Sequence, residues 1–212
     1  MADLFYIPLA HRSLFSLAGE DRRTFLQGLV SNDVAKAAPD RTLYGAFLTP
    51  QGKFLHEFFL GEKDDAFWLE TETGGRDDFV RRLSIYKLRS KVGMATTDGV
   101  RVFALLGRDP AAAIGLPGEA GAAGPFGGGV VFVDPRLPAA GLRGWLPEGA
   151  EAALAAPDSS GPNHHTGMRI VSASAFPMAA AIWFRKRPSC WKTGSTSCMG
   201  WIGRRGVTSG RN

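Results

Sequence analysis

The spacing of apolar residues in the first part of the chain predicts a strand, a helix and a hairpin. Residues 12–18 (RSLFSLA) are a predicted strand, and Asp21 is the predicted N-cap of a helix that continues to Val30. Apolar residues recur along that helix at the i, i+3, i+4 spacing of one buried face: they are Phe25, Leu26, Leu29 and Val30. Apolar and aromatic runs at 43–49 and 53–60 flank Pro50-Gln51-Gly52, a sequence typical of a hairpin turn.

Downstream of the hairpin, predicted strands surround one amphipathic helix. A turn at 61–65 leads into a strand at 66–70. The helix at 76–86 is expected to bury one face, which consists of Phe79, Val80, Leu83 and Tyr86. Further strands are predicted at 87–94, 100–106 and 130–133. The stretch 111–129 is rich in Gly, Ala and Pro and is predicted to be a loop. The order β-β-β-α-β within 43–94 predicts an α+β fold with helices on an antiparallel sheet.

Charge is distributed unevenly along the 212 residues, whose net charge is +5. Residues 1–158 carry 17 Lys and Arg and all 20 Asp and Glu, whereas residues 159–212 carry 8 Lys and Arg and no carboxylate. The last segment also holds both cysteines and three of the five tryptophans. Such a break indicates a change of domain, a nucleic-acid-binding tail or a segment that was not selected as protein.

The chain has none of the sequence features of a membrane-spanning or secreted protein. No apolar run approaches the roughly 18 residues that cross a bilayer, and no basic region precedes an apolar core at the N-terminus. Two cysteines do not suggest a disulfide framework, so a cytoplasmic location is expected. Neither His164-His165 nor the spacing of Cys190 and Cys198 matches a metal-ligand pattern, and no metal site is predicted.

Four strings of the chain resemble one family in their order and spacing. They are GEDRRTFLQGLVSNDV at 19–34, LYGAFLTPQGKFLHEFFL at 43–60, RRLSIYKLRSKV at 81–92 and DPRLPAAGLRG at 134–144. Together they resemble the YgfZ-type folate-binding proteins, which are relatives of the glycine-cleavage T-protein (aminomethyltransferase) and include mitochondrial iron–sulfur assembly factors. The resemblance implies tetrahydrofolate binding and a role in assembling or repairing iron–sulfur enzymes, including some that modify tRNA.

The resemblance also implies a domain organisation. The expected fold is the T-protein-like one, with interleaved α+β subdomains around a channel. Residues 1–147 would form the folate-binding region, and 43–94 would be an inserted ferredoxin-like α+β subdomain. Residues 148–168 would be a linker and 169–212 a disordered tail.

The family's hallmark motif, K-G-C-Y-x-G-Q-E, is missing from the chain as it is read. Codons rebuilt from the third base of one residue and the first two bases of the next permit this motif over Arg204 to Asn212. The same shift permits family-like strings over 176–180 and 194–202. We therefore interpret the C-terminal segment as the product of a frameshift near residues 158–168. The alternative is a native basic tail.

A row of cations is one candidate folate-binding feature. Lys87, Arg89 and Lys91 are spaced i, i+2, i+4, so on a strand they share one face. Such a face would suit the carboxylates of a polyglutamate tail. The alternative is an ordinary solvated strand face.

Other candidates lie in the strings that carry the resemblance. Asn32 and Asp33 are candidates for hydrogen bonds to the pterin edge, or they only cap and turn the chain. The hairpin that resembles the family's channel-lining segment contributes four more candidates, which are Tyr44, Thr49, Gln51 and Lys53. Gln51 could instead serve only the turn. Arg12 falls where some family members place an aromatic residue against folate, and a guanidinium also stacks on a flat ring.

The pair His56-Glu57 departs from the related aminomethyltransferases. The resemblance places an Asp-Asp pair at this hairpin position in those enzymes, where a carboxylate assists transfer at the folate nitrogen. Here His56 replaces the first acid, and Glu57 would lie on the opposite face of a regular strand. Both are candidates for catalysis, His56 through proton transfer.

Three functions follow from these observations. The first is a tetrahydrofolate-binding accessory protein whose partners are iron–sulfur client or assembly proteins. The second is a folate-dependent aminomethyltransferase of the glycine-cleavage type, which the replacement of the acid by His56 disfavours. The third is a nucleic-acid-binding protein driven by the basic tail, which the net acidic body disfavours. No membrane partner and no direct nucleic-acid binding are expected.

Overall fold

The computed structural model describes residues 2–150 and 168–172, all of which lie in one compact unit. The strands are β1 (Ala2–Pro8), β2 (Arg12–Ala18), β3 (Leu43–Leu48), β4 (Phe54–Lys63), β5 (Ala66–Glu72), β6 (Gly93–Thr96), β7 (Val100–Leu106), β8 (Ala123–Phe126), β9 (Gly129–Val133), β10 (Leu142–Pro147) and β11 (Met168–Ser172). The helices are α1 (Arg22–Gln27), α2 (Arg76–Tyr86) and α3 (Pro110–Ala113), with 3-10 turns at Val34–Lys36, Thr73–Gly75 and Pro138–Ala140. Within this part of the chain, no helix is long and apolar enough to cross a membrane.

These strands form two sheets in which neighbouring strands are not always consecutive in the sequence. Together with the helices they confirm the predicted α+β class. Sheet I has the strand order β3-β4-β5-β2-β6, and sheet II has the order β11-β1-β7-β10-β9-β8. Strands β4 and β5 are joined by a two-residue turn, Asp64 (φ +52°) and Asp65 (φ +56°). Two consecutive residues in the left-handed region are typical of a type I′ hairpin turn. β11 runs parallel to β1. The segment 43–94 supplies four strands of sheet I, but β2 lies between β5 and β6, and the subdomain boundaries remain a prediction.

Sheet I is covered on both faces. Successive side chains of a strand point to opposite faces, so each strand contributes to two cores. On β2, Phe15 and Leu17 enter the core that the sheet shares with α1 and α2. The Phe15 ring meets Phe79 of α2 edge to face, with centroids 5.3 Å apart. Leu83, one turn later on α2, is fully buried in the same core. The helices are thus held by an apolar stripe against one face of the sheet.

The opposite face of sheet I packs against sheet II. Phe59 of β4 lies 6.0 Å from Phe132 of β9, and Trp68 of β5 stacks on Trp145 of β10 at 6.4 Å. The far face of sheet II has its own core, which includes Phe103 of β7 and Ile114 next to α3. Two sheets therefore enclose an aromatic layer, and charged side chains are buried in it.

The predicted strands at 12–18 and 100–106 and the predicted helix at 76–86 are confirmed at both ends. The first helix ends at Gln27 rather than Val30. Asp21 makes no side-chain cap to it and instead accepts a hydrogen bond from the Lys91 backbone N–H at 2.7 Å.

Three other predictions about secondary structure were wrong. Tyr86 is half-exposed rather than buried, because it is the last residue of α2 and meets the core only at the edge, with its ring 6.1 Å from that of Phe47. The strand predicted at 87–94 begins only at Gly93, and 87–90 is a turn. The loop predicted at 111–129 contains the end of α3 and all of β8.

The strand β11 lies in the segment that was predicted to be linker and disordered tail. Its backbone pairs in register with β1, from Ala2 opposite Met168 to Tyr6 opposite Ser172. The expectation of disorder therefore does not extend to these five residues. The remaining residues of the proposed frameshifted segment, including Cys190 and Cys198, lie outside the described part of the chain.

Replacing Gly19 tests how tightly β2 is fixed to the segment before β6. Gly19 has φ +123°, and a Cβ there would lie 2.0 Å from the carbonyl oxygen of Lys91. We expect Gly19→Ala to lower the free energy of unfolding by about 1–3 kcal/mol in urea titrations. Gly28 is the matched control, because a Cβ there meets no atom within 4 Å, and Gly28→Ala should be neutral or slightly stabilising. Equal effects of the two substitutions would contradict the close approach.

Candidate functional site

A cluster of charged and aromatic side chains lies between the two sheets. We call it the intersheet cluster; it consists of Arg12, Tyr44, Glu57, Phe59, Glu70, Asp134, Arg136, Arg143 and Trp145. Three guanidinium groups face three carboxylates, so the formal charges balance. Burying this many charges is costly unless each is paired, and the network of hydrogen bonds supplies that pairing.

Glu70 is the innermost carboxylate, and its side chain is fully buried. It accepts hydrogen bonds from Arg12 Nε at 2.8 Å, from Trp145 Nε1 at 2.8 Å and from two nitrogens of Arg143. Since Arg12 and Glu70 belong to sheet I whereas Arg143 and Trp145 belong to sheet II, Glu70 ties the two sheets together.

Glu57 is the outer carboxylate of the cluster, with 23% of its side chain exposed. Its Oε1 accepts from Arg12 Nη1 at 2.9 Å, and its Oε2 accepts from the Tyr44 hydroxyl at 2.7 Å. Each carboxylate oxygen has a second lone pair, so Glu57 can accept further hydrogen bonds from a ligand. It is the carboxylate of this cluster that reaches solvent most.

The ring of Phe59 makes cation–π contacts with all three arginines of the cluster. The guanidinium carbons of Arg143, Arg136 and Arg12 lie 4.2, 4.7 and 5.6 Å from its centroid. Arg136 is the outermost, with 23% of its side chain exposed, and it also lies 5.3 Å from the Tyr44 ring. Its guanidinium is held by Asp134, with Nη2 to Oδ2 at 2.6 Å. The outer end of the cluster thus presents a carboxylate beside a stacked guanidinium.

The charges of the cluster shift the pKa values of its acids. Burial by itself would raise the pKa of Glu70, but Arg143 and Arg12, together with the hydrogen bonds from Arg143 and Trp145, lower it to about 2. Burial would also raise the pKa of Glu57, and Arg12 and the Tyr44 hydroxyl outweigh it and lower this pKa. Both carboxylates are therefore ionised at neutral pH.

The neighbouring phenol and guanidinium are shifted as well. Burial, reinforced by the charge of Glu57, raises the pKa of Tyr44, so that its hydroxyl stays a proton donor. Burial lowers the pKa of Arg143, and the attraction of Glu70 only partly offsets this. With ionised acids and a neutral phenol, the cluster favours recognition of a ligand rich in hydrogen-bond donors over proton transfer at neutral pH.

His56 lies on the other face of β4, as the alternation of the strand predicts. Its ring stacks on Phe79 with centroids 4.9 Å apart, and its Nε2 lies 3.0 Å from Asp78 Oδ2. The hydrogen bond from Arg82, then that from Arg81, lowers the pKa of Asp78. His56 and Glu57 therefore belong to different environments and do not form one catalytic pair.

Two candidates between α1 and β3 serve the local backbone. Asn32 donates from Nδ2 to the carbonyl oxygen of Tyr44 at 2.9 Å, and its Oδ1 accepts from the Asp33 N–H. Asp33 caps the following 3-10 turn by accepting from the Ala35 N–H at 3.2 Å. Asn32 thus positions the strand that carries Tyr44, whereas a role of either side chain in ligand binding remains a prediction.

The structure brings Arg12, Tyr44 and Glu57 together and places the other candidates elsewhere. Thr49, Gln51 and Lys53 lie at the tip of the β3–β4 hairpin, where Thr49 Oγ1 accepts from the Lys53 N–H at 3.1 Å. Lys87 and Arg89 lie in the turn after α2, on the helix side of sheet I. The shared strand face predicted for Lys87, Arg89 and Lys91 is wrong, because this segment is not a strand.

Sequence reasoning missed four charged residues of the intersheet cluster. Glu70, Asp134, Arg136 and Arg143 were not identified as site residues. Asp134, Arg136 and Arg143 do lie in the string DPRLPAAGLRG, and charged residues inside apolar strands such as AFWLETE and LRGWLP were the available signal.

Comparison with known proteins identifies relatives that are considerably longer than this chain. No family model matches it. It is 37% identical over 114 residues to the mitochondrial iron–sulfur cluster assembly factor IBA57 homolog of Neosartorya fischeri, and the matched region covers 45% of this chain and 26% of that protein. It is 30% identical over 181 residues to the homolog of the same name from Aspergillus clavatus, and this match covers 73% of this chain and 40% of that protein. The chain thus spans less than half the length of these relatives.

A solved structure supports the fold. The glycine cleavage system aminomethyltransferase T from Bartonella henselae superposes with a TM-score of 0.57 at 21% identity, over 73% of this chain and 44% of that one. The T-protein-like fold expected from the sequence is therefore confirmed. In sequence this chain is similar to the IBA57-type iron–sulfur cluster assembly factors, and its fold is T-protein-like.

Proposed function

We propose that this chain binds tetrahydrofolate at the outer end of the intersheet cluster and acts as an accessory factor in iron–sulfur cluster assembly. The single observation that carries the binding proposal is the environment of Glu57. Its ionised, partly exposed carboxylate is held by Arg12 and Tyr44 beside the stacked guanidinium of Arg136.

The residues present fit a reduced pterin. A pterin ring offers neighbouring N–H donors, and a fixed carboxylate such as Glu57 accepts two of them at once. Its flat face suits the guanidinium plane of Arg136. The buried pairing of Glu70 with Arg12 and Arg143 keeps the site rigid before the ligand arrives, which lowers the entropic cost of binding. When bound, tetrahydrofolate would supply one-carbon or redox chemistry.

The role in iron–sulfur assembly rests on the relatives, whose names describe assembly factors. Partner proteins of the iron–sulfur machinery and a role in tRNA modification belong to this proposal. In the described residues, no group of three or more His, Cys, Asp or Glu could hold a metal ion. An iron–sulfur cluster would be cargo of the process. The cytoplasmic location remains a prediction, because the named relatives are mitochondrial.

Glu57→Gln tests the binding site directly. The substitution removes the charge that the pterin donors need and reverses one hydrogen bond, so we expect tetrahydrofolate to bind about tenfold to a hundredfold more weakly in calorimetry. Tyr44→Phe should have a smaller effect, because Tyr44 acts by fixing Glu57.

Glu148→Gln is the matched control, since Glu148 forms an exposed ion pair with Arg101 and should leave the affinity unchanged. Thermal unfolding of each variant confirms that it is folded during the titration. Equal affinities of the wild-type and Glu57→Gln chains would contradict the site, and absence of binding to the folded wild-type chain would contradict the proposal.

A folate-dependent aminomethyltransferase is the second candidate, and the retained carboxylate of Glu57 favours it. The low pKa of Glu57 and the separation of His56 onto the other face of β4 weigh against a proton-transfer pair. A glycine-cleavage exchange assay with a lipoyl carrier protein separates the two candidates. Turnover that Glu57→Gln abolishes would support the transferase.

A further inference from the structure

The turn after α2 presents an apolar side chain to solvent in a conformation that its residue type disfavours. Leu88 has φ +42°, in the left-handed region, and 90% of its surface is exposed. Glycine or asparagine adopts this conformation far more readily than leucine. Neither packing nor turn chemistry therefore accounts for a leucine at this position, and strained residues of this kind concentrate at binding sites.

Hydrogen bonds fix this turn at both ends. The Ser90 N–H donates to the Lys87 carbonyl at 2.8 Å, which places Leu88 and Arg89 at the centre of the turn. The Lys91 N–H donates to Asp21 Oδ2 at 2.7 Å, which anchors the following residue to the start of α1. Leu88 is therefore held outward by a braced backbone.

Two more exposed apolar residues lie at the end of α2, close to Leu88 in the sequence. Ile85 is 62% exposed and Tyr86 is 38% exposed. The large exposed apolar residues of the described part are Phe54, Ile85, Tyr86, Leu88 and Leu137, so three of them fall within four positions of the chain. We call Ile85, Tyr86 and Leu88, with Lys87 and Arg89, the 85–89 surface. Exposed large apolar side chains that are grouped with exposed cations are typical of a protein interaction site.

The charges of the 85–89 surface indicate what covers it. Among the described residues, no ion pair or side-chain hydrogen bond involves the side chains of Lys87 or Arg89, whereas the nearby Lys91 is paired with Glu20. A partner that inserts an apolar side chain next to Leu88 and places carboxylates on Lys87 and Arg89 satisfies both features. An anionic membrane fits less well, because lipid-binding basic segments typically carry about four to eight Lys or Arg, whereas the 85–89 surface carries two.

We propose that the 85–89 surface docks an acidic segment of a partner protein, in which an apolar side chain is flanked by carboxylates. The surface lies on the helix side of sheet I, and Glu57 lies on the other face. A partner could therefore be held there while the intersheet cluster remains open to its own ligand. This proposal is independent of folate binding.

A random-peptide display library selected on the immobilised full chain tests the proposal. We expect enriched peptides in which Leu or Phe is flanked by Asp or Glu. A labelled enriched peptide should bind Leu88→Asn about tenfold or more weakly in fluorescence anisotropy, because the buried apolar contact is lost. The double charge reversal Lys87→Glu with Arg89→Glu should weaken it at least as much, and the wild-type affinity should fall as salt is added.

Leu137→Asn is the matched control, because Leu137 is an exposed leucine immediately before the 3-10 turn Pro138–Ala140 and should not affect peptide binding. The melting temperature of Leu88→Asn should equal or exceed that of the wild type, since asparagine tolerates the left-handed conformation. A lower melting temperature with unchanged peptide affinity would assign Leu88 a structural role and overturn the proposal.

Other occupants of the surface give distinct results. Binding to phosphatidylserine vesicles that Leu88→Asn abolishes, without enrichment of acidic peptides, would overturn the proposal in favour of a membrane. A wild-type dimer in sedimentation that Leu88→Asn converts to a monomer would overturn it in favour of a second copy of the chain. Enriched peptides without acidic residues would also overturn it.

Discussion

Replacing Glu70 with glutamine should destabilise the protein more than any other single change discussed for it. The substitution leaves the buried guanidinium groups of Arg12 and Arg143 without their carboxylate, and the amide NH2 of glutamine faces their donors. Removing one partner of a buried ion pair costs about 3–5 kcal/mol, which is a large fraction of the 5–15 kcal/mol stability of a typical domain. We expect urea unfolding to show this loss, or the chain to be unfolded without urea.

Two further variants determine whether the charge is the cause. Glu148→Gln removes an exposed partner of Arg101 and should change stability by no more than about 0.5 kcal/mol. The triple variant Arg12→Met, Glu70→Leu, Arg143→Met removes Glu70 together with its two guanidinium partners and leaves Asp134 paired with Arg136. It should recover part of the stability, because apolar side chains of similar volume carry no desolvation cost. A Glu70→Gln protein as stable as the wild type would show that Glu70 is not ionised between the sheets.

Stability should fall steeply in acid because of the same residue. The pKa of Glu70 is lowered to about 2 in the folded chain, from the value of 4.5 for an unperturbed glutamate side chain. A carboxylate with a lowered folded-state pKa stabilises the fold above the pKa of the unfolded chain, and this stabilisation is lost as pH falls towards the folded-state value. The wild-type free energy of unfolding should therefore drop by about 3 kcal/mol from this group between pH 5 and pH 2.

The triple variant is the reference for this acid profile as well. It lacks Glu70 but retains Asp78, whose lowered pKa contributes to the acid dependence of both proteins, whereas Glu57 loses Arg12, which helps to lower its pKa. The difference between the two profiles thus reports Glu70 together with the Arg12–Glu57 pair. Parallel profiles of the wild type and the triple variant from pH 7 to pH 2 would contradict the lowered pKa of Glu70.

The parts of the fold that the sequence predicted are those with a strong apolar period. α2 carries Phe79 and Leu83 at helical spacing, and both are fully buried where the period places them. The same reasoning failed at 87–91, where charged residues alternate as they do on an exposed strand although the chain makes a turn braced by Asp21. It also failed at β8 (AGPF), an edge strand whose composition is that of a loop and whose place depends on pairing with β9.

Part of the candidate site was predictable, but its central carboxylate, Glu70, was not. Arg12 and Glu57 could be proposed because they lie in or near strings that resemble a family. The partnership of Glu70 with Arg143 joins residues 73 positions apart, on different sheets, and no local pattern encodes it. The packing of the two sheets decides which buried charges come into contact, and this packing is a property of the tertiary structure.

A crystal structure of the full chain with tetrahydrofolate tests the central claim most directly. We predict the pterin ring at the outer end of the intersheet cluster, with its N–H donors within hydrogen-bond distance of Glu57 and its face against Arg136. Glu70, Arg12 and Arg143 should keep their positions, since they form the rigid part of the site. A pterin bound on the helix side of sheet I, beside His56 or the turn after α2, would contradict this account of the protein.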